Sequence, residues 1–290
     1  MGVTGKPECV WNVEAELGEG PVWAEAALWF VDIKKRNIHR FDPQGGGRRS
    51  WDAPEPIGFL LPAEGGGFVA GLQSGLHRFA PESGAFERIV EVEPELHDNR
   101  LNDGTVDPAG RLWFGSMDDG EKQARGRFYR FARGALAEAG LPKVAITNGP
   151  AVSPDGRTLY WVDTLGQSVH ACALRDDGTL GDSRLFAQLG AKEGFPDGPT
   201  VDSEGCVWIA LYFGWEARRY SPQGKLIERV AFPVSNVTKL AFGGEDLRTA
   251  FATTARHGLK PEALAKQPEA GGLFAFTVDV PGVATPAAAL

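Results

Sequence analysis

The sequence predicts an all-β fold, a six-bladed β-propeller with four-stranded antiparallel blades around a central channel. Three observations predict it. Turn signals recur along the whole chain: DPQGGG (42–47), PESG (81–84), DPAG (107–110), SPDG (153–156), RDDG (175–178), DSEG (202–205) and SPQG (221–224). Clusters of this kind punctuate strands. Between them lie short β-branched and aromatic runs, LWFVDI (28–33), RLWFGS (111–116), TLYWVD (158–163) and CVWIAL (206–211), of the length and composition of strands. The runs also repeat. Trp29, Phe68, Trp113, Tyr160, Trp208 and Ala250 fall in one register, roughly 40–48 residues apart, the period of a four-stranded propeller blade. Six copies account for nearly the entire chain, so residues 1–290 are expected to form a single domain. One brief helix is expected, at PEALAKQ (261–267).

Composition narrows the function. Hydrophobic residues make up 42% of 290 residues, which suits a packed protein rather than a disordered one. Thirty basic residues against 38 acidic ones give a net charge of −8, which repels phosphate backbones and argues against nucleic acid or anionic membrane as a partner. No apolar run approaches the length of a membrane span. The start, MGVTGKPECVWNVEAELGEG, has no apolar core of a signal peptide. Cys9, Cys172 and Cys206 form no C-x-x-C pair, so a reducing, cytoplasmic compartment is expected, without a cysteine-built zinc site. A closed propeller needs no partner to hide its strand edges, and a monomer is expected.

The chemistry lies where the copies differ. About eleven residues before each aligned position stand GEGP (18–21), PIGF (56–59), LNDG (101–104), TNGP (147–150), PDGP (196–199) and NVTK (236–239). One slot therefore holds Glu19, Ile57, Asn102, Asn148 and Asp197, with Asn236 or Val237 in the sixth copy. Gly-Pro and Asp-Gly are turn signals, so these segments are expected to turn, and Asp or Asn before Gly can serve that turn alone. Equivalent positions of propeller blades also ring the channel. A ring of Glu, Asn, Asn and Asp is a cluster of oxygen donors whose two carboxylates repel. A divalent cation removes that conflict. Oxygen ligation suits calcium, magnesium or manganese and does not exclude zinc or iron(II).

Arg100 lies two residues before Asn102 and in an extended segment faces the same way. Its guanidinium there can bind a carbonyl, hydroxyl or carboxylate. Asp118, Asp119 and Glu121 in GSMDDGE (115–121) follow the third-copy strand and are candidates to overhang the channel. The five histidines are scattered, and no G-x-S-x-G or Ser–His–Asp pattern is present.

At these residues the sequence resembles the SMP-30/gluconolactonase/regucalcin family of six-bladed propellers. LGEGPVW (17–23), NRLNDGTVDPAGRLWFGSM (99–117), ITNGPAVSPDGRTLYWVDT (146–164) and FPDGPTVDSEGCVWIAL (195–211) carry the resemblance. TTARHGL (253–259) and AGGLFAFTVDVPG (270–282) resemble its bacterial sugar-lactonase branch, including xylonolactonases. The resemblance implies one divalent metal ion (Ca, Zn, Mn, Mg or Fe(II)) held by Glu19, Asn148 and Asp197. It also implies substrate contacts from Arg100 and Asn102, with Asn102 a further candidate for the metal shell, and Asp197 as the general base. The family's acidic substrate residue aligns only loosely, on Glu121.

The expected function is metal-dependent opening of a sugar lactone to its aldonic acid, D-xylonolactone or D-gluconolactone in oxidative sugar catabolism. A Lewis acid activates carbonyl or water, a carboxylate takes a proton, and hydrogen-bond donors stabilise the developing oxyanion. Two alternatives stand beside it. One is a metal-dependent esterase or phosphotriesterase. The other is a calcium-binding regulatory protein without turnover.

Overall fold

The computed structural model describes Val3 and residues 5–290; residues 1, 2 and 4 of the expected single domain lie outside the described residues. Strand β1 (Glu8–Trp11) precedes a four-stranded antiparallel sheet of β2 (Gly18–Ala24), β3 (Ala27–Asp32), β4 (Asn37–Phe41) and β5 (Arg48–Asp52). The next sheet is β6 (Ile57–Pro62), β7 (Phe68–Leu72), β8 (Gly75–Ala80) and β9 (Ala85–Glu91). A third is β10 (Asn99–Val106), β11 (Leu112–Asp118), β12 (Phe128–Ala132) and β13 (Ala135–Glu138). A fourth is β14 (Thr147–Val152), β15 (Thr158–Asp163), β16 (Ser168–Ala173) and β17 (Arg184–Gln188).

The remaining strands are β18 (Phe195–Val201), β19 (Val207–Tyr212), β20 (Glu216–Tyr220), β21 (Leu226–Ala231), β22 (Val237–Gly243), β23 (Thr249–Thr254) and β24 (Leu273–Thr277). With β1 they make one eight-stranded sheet of two antiparallel units, β18–β21 and β22–β24 plus β1, joined through the parallel pair Gly198↔Lys239. The first strands β2, β6, β10, β14, β18 and β22 contact each other in that order, and β22 contacts β2. The ring closes, and the architecture is a β-propeller. The chain start seals it, because β1 pairs with β24 in the last unit.

Every residue of the repeat register lies on the second strand of its unit, from Trp29 on β3 to Ala250 on β23. Trp29, Trp113 and Trp208 are fully buried there. The turn signals before two of them do more than reverse the chain. Asp107 of DPAG accepts from the backbone N–H of Ala109 and Arg111, and also from the Trp113 indole at 2.9 Å. Asp202 of DSEG repeats this with Glu204, Cys206 and the Trp208 indole at 2.9 Å. Arg111 and Arg219 pair with these carboxylates at 2.6 and 2.7 Å. A buried carboxylate satisfied in this way is retained at little cost and fixes turn and strand together.

The expected helix is shorter than PEALAKQ. α1 is one turn, Pro261–Leu264, after which Ala265 and Lys266 continue in a turn. Pro268 disfavours helical backbone at the residue before it, and Gln267 is drawn away to accept from the Ser235 N–H at 2.6 Å.

His39 on β4 gives the fold an acid-sensitive point. It is buried edge-on to Trp11 and beside Phe30, and its Nδ1 meets Ser50 Oγ at 2.7 Å. Burial outweighs the nearby Asp32 charge and pushes its pKa down to about 4. As pH falls below the ordinary histidine value near 6.5, the unfolded chain takes up a proton before the folded one does. Stability is therefore lost as pH falls through the window from there to about 4, by roughly 3 kcal/mol for this group. A His39→Phe variant keeps the ring contacts and leaves exposed Ser50 to water. Urea unfolding at pH 7 and pH 4.5 is expected to show a smaller loss for the variant than for wild type; equal losses refute the assignment.

Candidate metal and substrate site at the channel mouth

The six slots do not turn. Each, save Asn236, which directly precedes β22, lies within the first strand of its unit, where the ladder to the second strand slips: between Glu19 and Val22, Ile57 and Phe59, Leu101 and Gly104, Asn148 and Ala151, Pro196 and Pro199, and Val237 and Lys239. These are β-bulges, which bend a strand and re-aim its side chains. The expectation that Asp-Gly and Gly-Pro reverse the chain is corrected accordingly. The strand is already the innermost one, packed on both sides, and has no room to reverse. Glycine is needed for another reason. Gly149 has φ 75°, and a Cβ there would come within 2.8 Å of Pro199 Cγ on the next inner strand.

Glu19, Arg100, Asn102, Glu121, Asn148 and Asp197 all line one cavity of about 290 Å³, with Leu17, Met117, Ile146, Thr164, Leu165, Phe195, Tyr212, Phe213 and His257. Ile57 and the sixth-copy candidates Asn236 and Val237 do not line it. Asn236 is spent on Ser235 and on the His257 carbonyl.

Glu19 and Asp197 are buried, and among the described residues no cationic side chain forms an ion pair with either. Among the described residues, Glu19 Oε2 accepts only its neighbour's N–H, from Gly20 at 2.8 Å. Burial, then the charge of Asp103, pushes Glu19 up to about 8. Burial, then Glu19, then Asp103, raises Asp197 well above the usual carboxylate range. The geometry thus forces together two carboxylates that resist ionising.

The amides form a chain. Asn102 Nδ2 donates to Thr147 O at 2.7 Å and to Asn148 Oδ1 at 3.2 Å. Asn148 Nδ2 donates to Thr164 Oγ1 at 2.9 Å, and that hydroxyl donates to Pro196 O at 3.0 Å, beside Asp197. The chain fixes which end of Asn148 is oxygen and leaves it an acceptor beside the two carboxylates. Partners of this kind orient metal ligands. Among the described residues no three histidine, cysteine or carboxylate side chains are grouped as a metal cluster. The donors present are two carboxylates and amide oxygens, a hard all-oxygen set that fits calcium, magnesium or manganese better than a soft ion.

Arg100 is almost fully buried. Its Nε donates to Asp119 at 2.6 Å, and its Nη1 donates to Leu101 O at 3.2 Å and Asn102 Oδ1 at 2.6 Å. No hydrogen bond occupies Nη2 among the described residues, so two donors remain for a ligand. Asp119 also accepts from Lys34 at 2.7 Å. Asp118 instead closes its own loop, accepting from the Lys122 and Gln123 N–H groups. Glu121 is exposed at the rim, on left-handed backbone with φ 58°.

Three contributors escaped the sequence reading. Thr164 and Tyr212 lie outside the repeated slot and carried no signal. Asp103 sits beside Asn102 in LNDG and is buried in the same bulge; its acidic neighbourhood was the available clue.

The family model for the SMP-30/Gluconolactonase/LRE-like region matches residues 17–256. The chain is 36% identical over 282 residues to the 6-deoxy-6-sulfogluconolactonase of Pseudomonas putida, covering 96% of this chain and 97% of that one. It is 39% identical over 275 residues to the L-arabinolactonase of Azospirillum brasilense, covering 93% and 91%. Among solved structures, a calcium-binding protein, regucalcin, from Agrobacterium tumefaciens superposes with a TM-score of 0.94 at 27% identity, covering 99% and 98%.

Proposed function

This chain belongs to the SMP-30/gluconolactonase/LRE-like family, and from that premise we propose that it is a metal-dependent lactonase opening a sugar lactone to its aldonic acid. The observation that carries the reading is the buried pair Glu19 and Asp197, which line one cavity with Asn148 and, among the described residues, have no cationic side chain bonded to either. Glu19, Asn148 and Asp197 would hold one divalent cation. When bound, that cation supplies charge balance and Lewis acidity toward a carbonyl or a water.

The rest falls to the chain's own groups. Asp197 accepts the proton of the attacking water through its carboxylate. Arg100, neutralised and aligned by Asp119 and Asn102, offers its Nη2 donors to the developing oxyanion or to sugar hydroxyls. Asn102 acts mainly as a brace, since both its donors are engaged, with its oxygen a further candidate for the metal shell. Glu121 at the rim meets hydroxyls far from the lactone carbonyl. The apolar wall of Leu17, Ile146, Phe195 and Phe213 excludes water from the rest of the substrate.

Two relatives are named for lactones of sugars, which supports D-xylonolactone or D-gluconolactone as substrate. No helix among the described residues is long and apolar enough to cross a membrane, and the three cysteines are free. The reading places a single-domain monomer in the cytoplasm.

Acid release from D-xylonolactone, D-gluconolactone and a phosphotriester, each with and without chelator, tests the proposal. Chelator-sensitive turnover of a lactone, well above that of the phosphotriester, is expected. A faster phosphotriester rate supports the esterase reading instead. Cation binding with no turnover of any lactone supports a regulatory calcium-binding protein, against which the free Arg100 donors speak, since a cation site gains nothing from a guanidinium.

A further inference from the structure

We infer that Lys239, reaching across the channel to Asp103, is the positioning residue that sets the charge beneath the cation site and so matches it to a divalent ion. The inference rests on the cation-site reading above and concerns a residue outside the ligand set.

Lys239 lies on β22 and Asp103 on β10, opposite each other in the ring of inner strands. Both are buried, and the lysine ammonium is paired with the Asp103 carboxylate. The aspartate is held from two further directions, accepting from Gly104 N at 2.7 Å and Gly149 N at 2.9 Å. The lysine stem is held too. A Cβ at Gly198, the residue after Asp197, would lie 2.6–2.7 Å from Lys239 Cβ, Cγ and Cδ. Glycine at 198 is therefore the space through which the lysine passes, and Gly198↔Lys239 is the pair that joins β18 to β22. The ion pair also forms a floor. Lys239 lines a second, lower cavity of about 100 Å³, lined also by Val283–Pro286, and that cavity shares no lining residue with the upper one.

Three buried carboxylates meet here: Asp103 follows Asn102 in the β10 bulge, the lysine stem passes over Gly198, the residue after Asp197, and Glu19 lines the same cavity as Asp197. Arg100 also bears on Glu19, though it shares the Asp119 carboxylate with Lys34. Lys239 is the cation paired directly with one of the three, so it withholds one negative charge from the ion. In a buried site such charges act with little screening. Without the ammonium, the same ligands would feel the unbalanced Asp103 charge beneath them, which favours a trivalent cation.

Titration of chelator-treated protein with Tb³⁺ and Ca²⁺ tests this. Lys239→Met is expected to raise the ratio of Tb³⁺ to Ca²⁺ affinity roughly tenfold or more. The double variant Lys239→Met/Asp103→Asn removes both charges and is expected to return the ratio to the wild-type value. Asp103→Asn alone should move the ratio the other way, and it decides the matter if Lys239→Met does not fold. A merely structural lysine would change stability and leave the ratio alone, so an unchanged ratio in folded variants overturns the inference while the cation site stands. Wild-type protein that binds neither ion overturns both.

Discussion

Asp197→Asn is expected to lower the kcat for lactone hydrolysis by about 10³-fold or more while the protein stays folded. Two losses coincide in that change. The amide cannot take a proton from water at neutral pH, and it is a weaker ligand than a carboxylate. The shape of the side chain is unchanged, so the bulge at Pro196–Pro199 and the packing of β18 should persist. The substitution also removes one of two buried carboxylates that repel each other. In the metal-free state the variant should therefore unfold at a higher temperature than wild type, the trade of stability for activity expected at a working site. Acid-release kinetics alongside thermal unfolding in chelator read both effects. A variant that keeps wild-type turnover would remove Asp197 from the chemistry.

Removing the cation from wild-type protein is expected to lower Tm by on the order of 5–10 °C and to abolish turnover. A ligand at a thousand times its Kd stabilises the folded state by about 4 kcal/mol, and for a chain of this size each kcal/mol moves Tm by roughly 2 °C. The direction follows from the site itself. With no cation, Glu19 and Asp197 are left facing each other away from water. Thermal melts at one fixed pH, with chelator and then with Ca²⁺, Mn²⁺, Mg²⁺, Zn²⁺ or Fe²⁺ restored singly, measure the shift and rank the ions. The shift should shrink in Asp197→Asn, where one ligand charge is gone. A chelator-insensitive Tm in wild type would leave the buried pair without its counter-ion and sink the metal site.

Much of the fold was legible because its signals are local and repeated. Strand two of each unit announced itself through an aromatic or apolar residue at a fixed interval, and the turns through Asp, Pro and Gly. The four polar slots were legible for the same reason: Glu19, Asn102, Asn148 and Asp197 share a register, and the structure lines one cavity with them. The turn reading of Gly-Pro failed because a dipeptide preference is weak beside the packing of an innermost strand, which absorbs the extra residue as a bulge. The helix at 261–267 was overextended because nothing in PEALAKQ reveals that Gln267 is wanted by the Ser235 backbone.

By itself the sequence determined the repeat, the all-β class and the oxygen-rich slot, since each is a property of residue type and spacing along one chain. Only the tertiary structure decided what meets across the ring. It brought β1 to β24 to close the propeller, Asp119 to Arg100, Thr164 to Asn148, and Lys239 to Asp103 across 136 positions of chain. These partners share no motif. Their meeting depends on the curvature and closure of all the inner strands together, and the charge and hydrogen bonding that tune Glu19 and Asp197 arise only once that ring is shut.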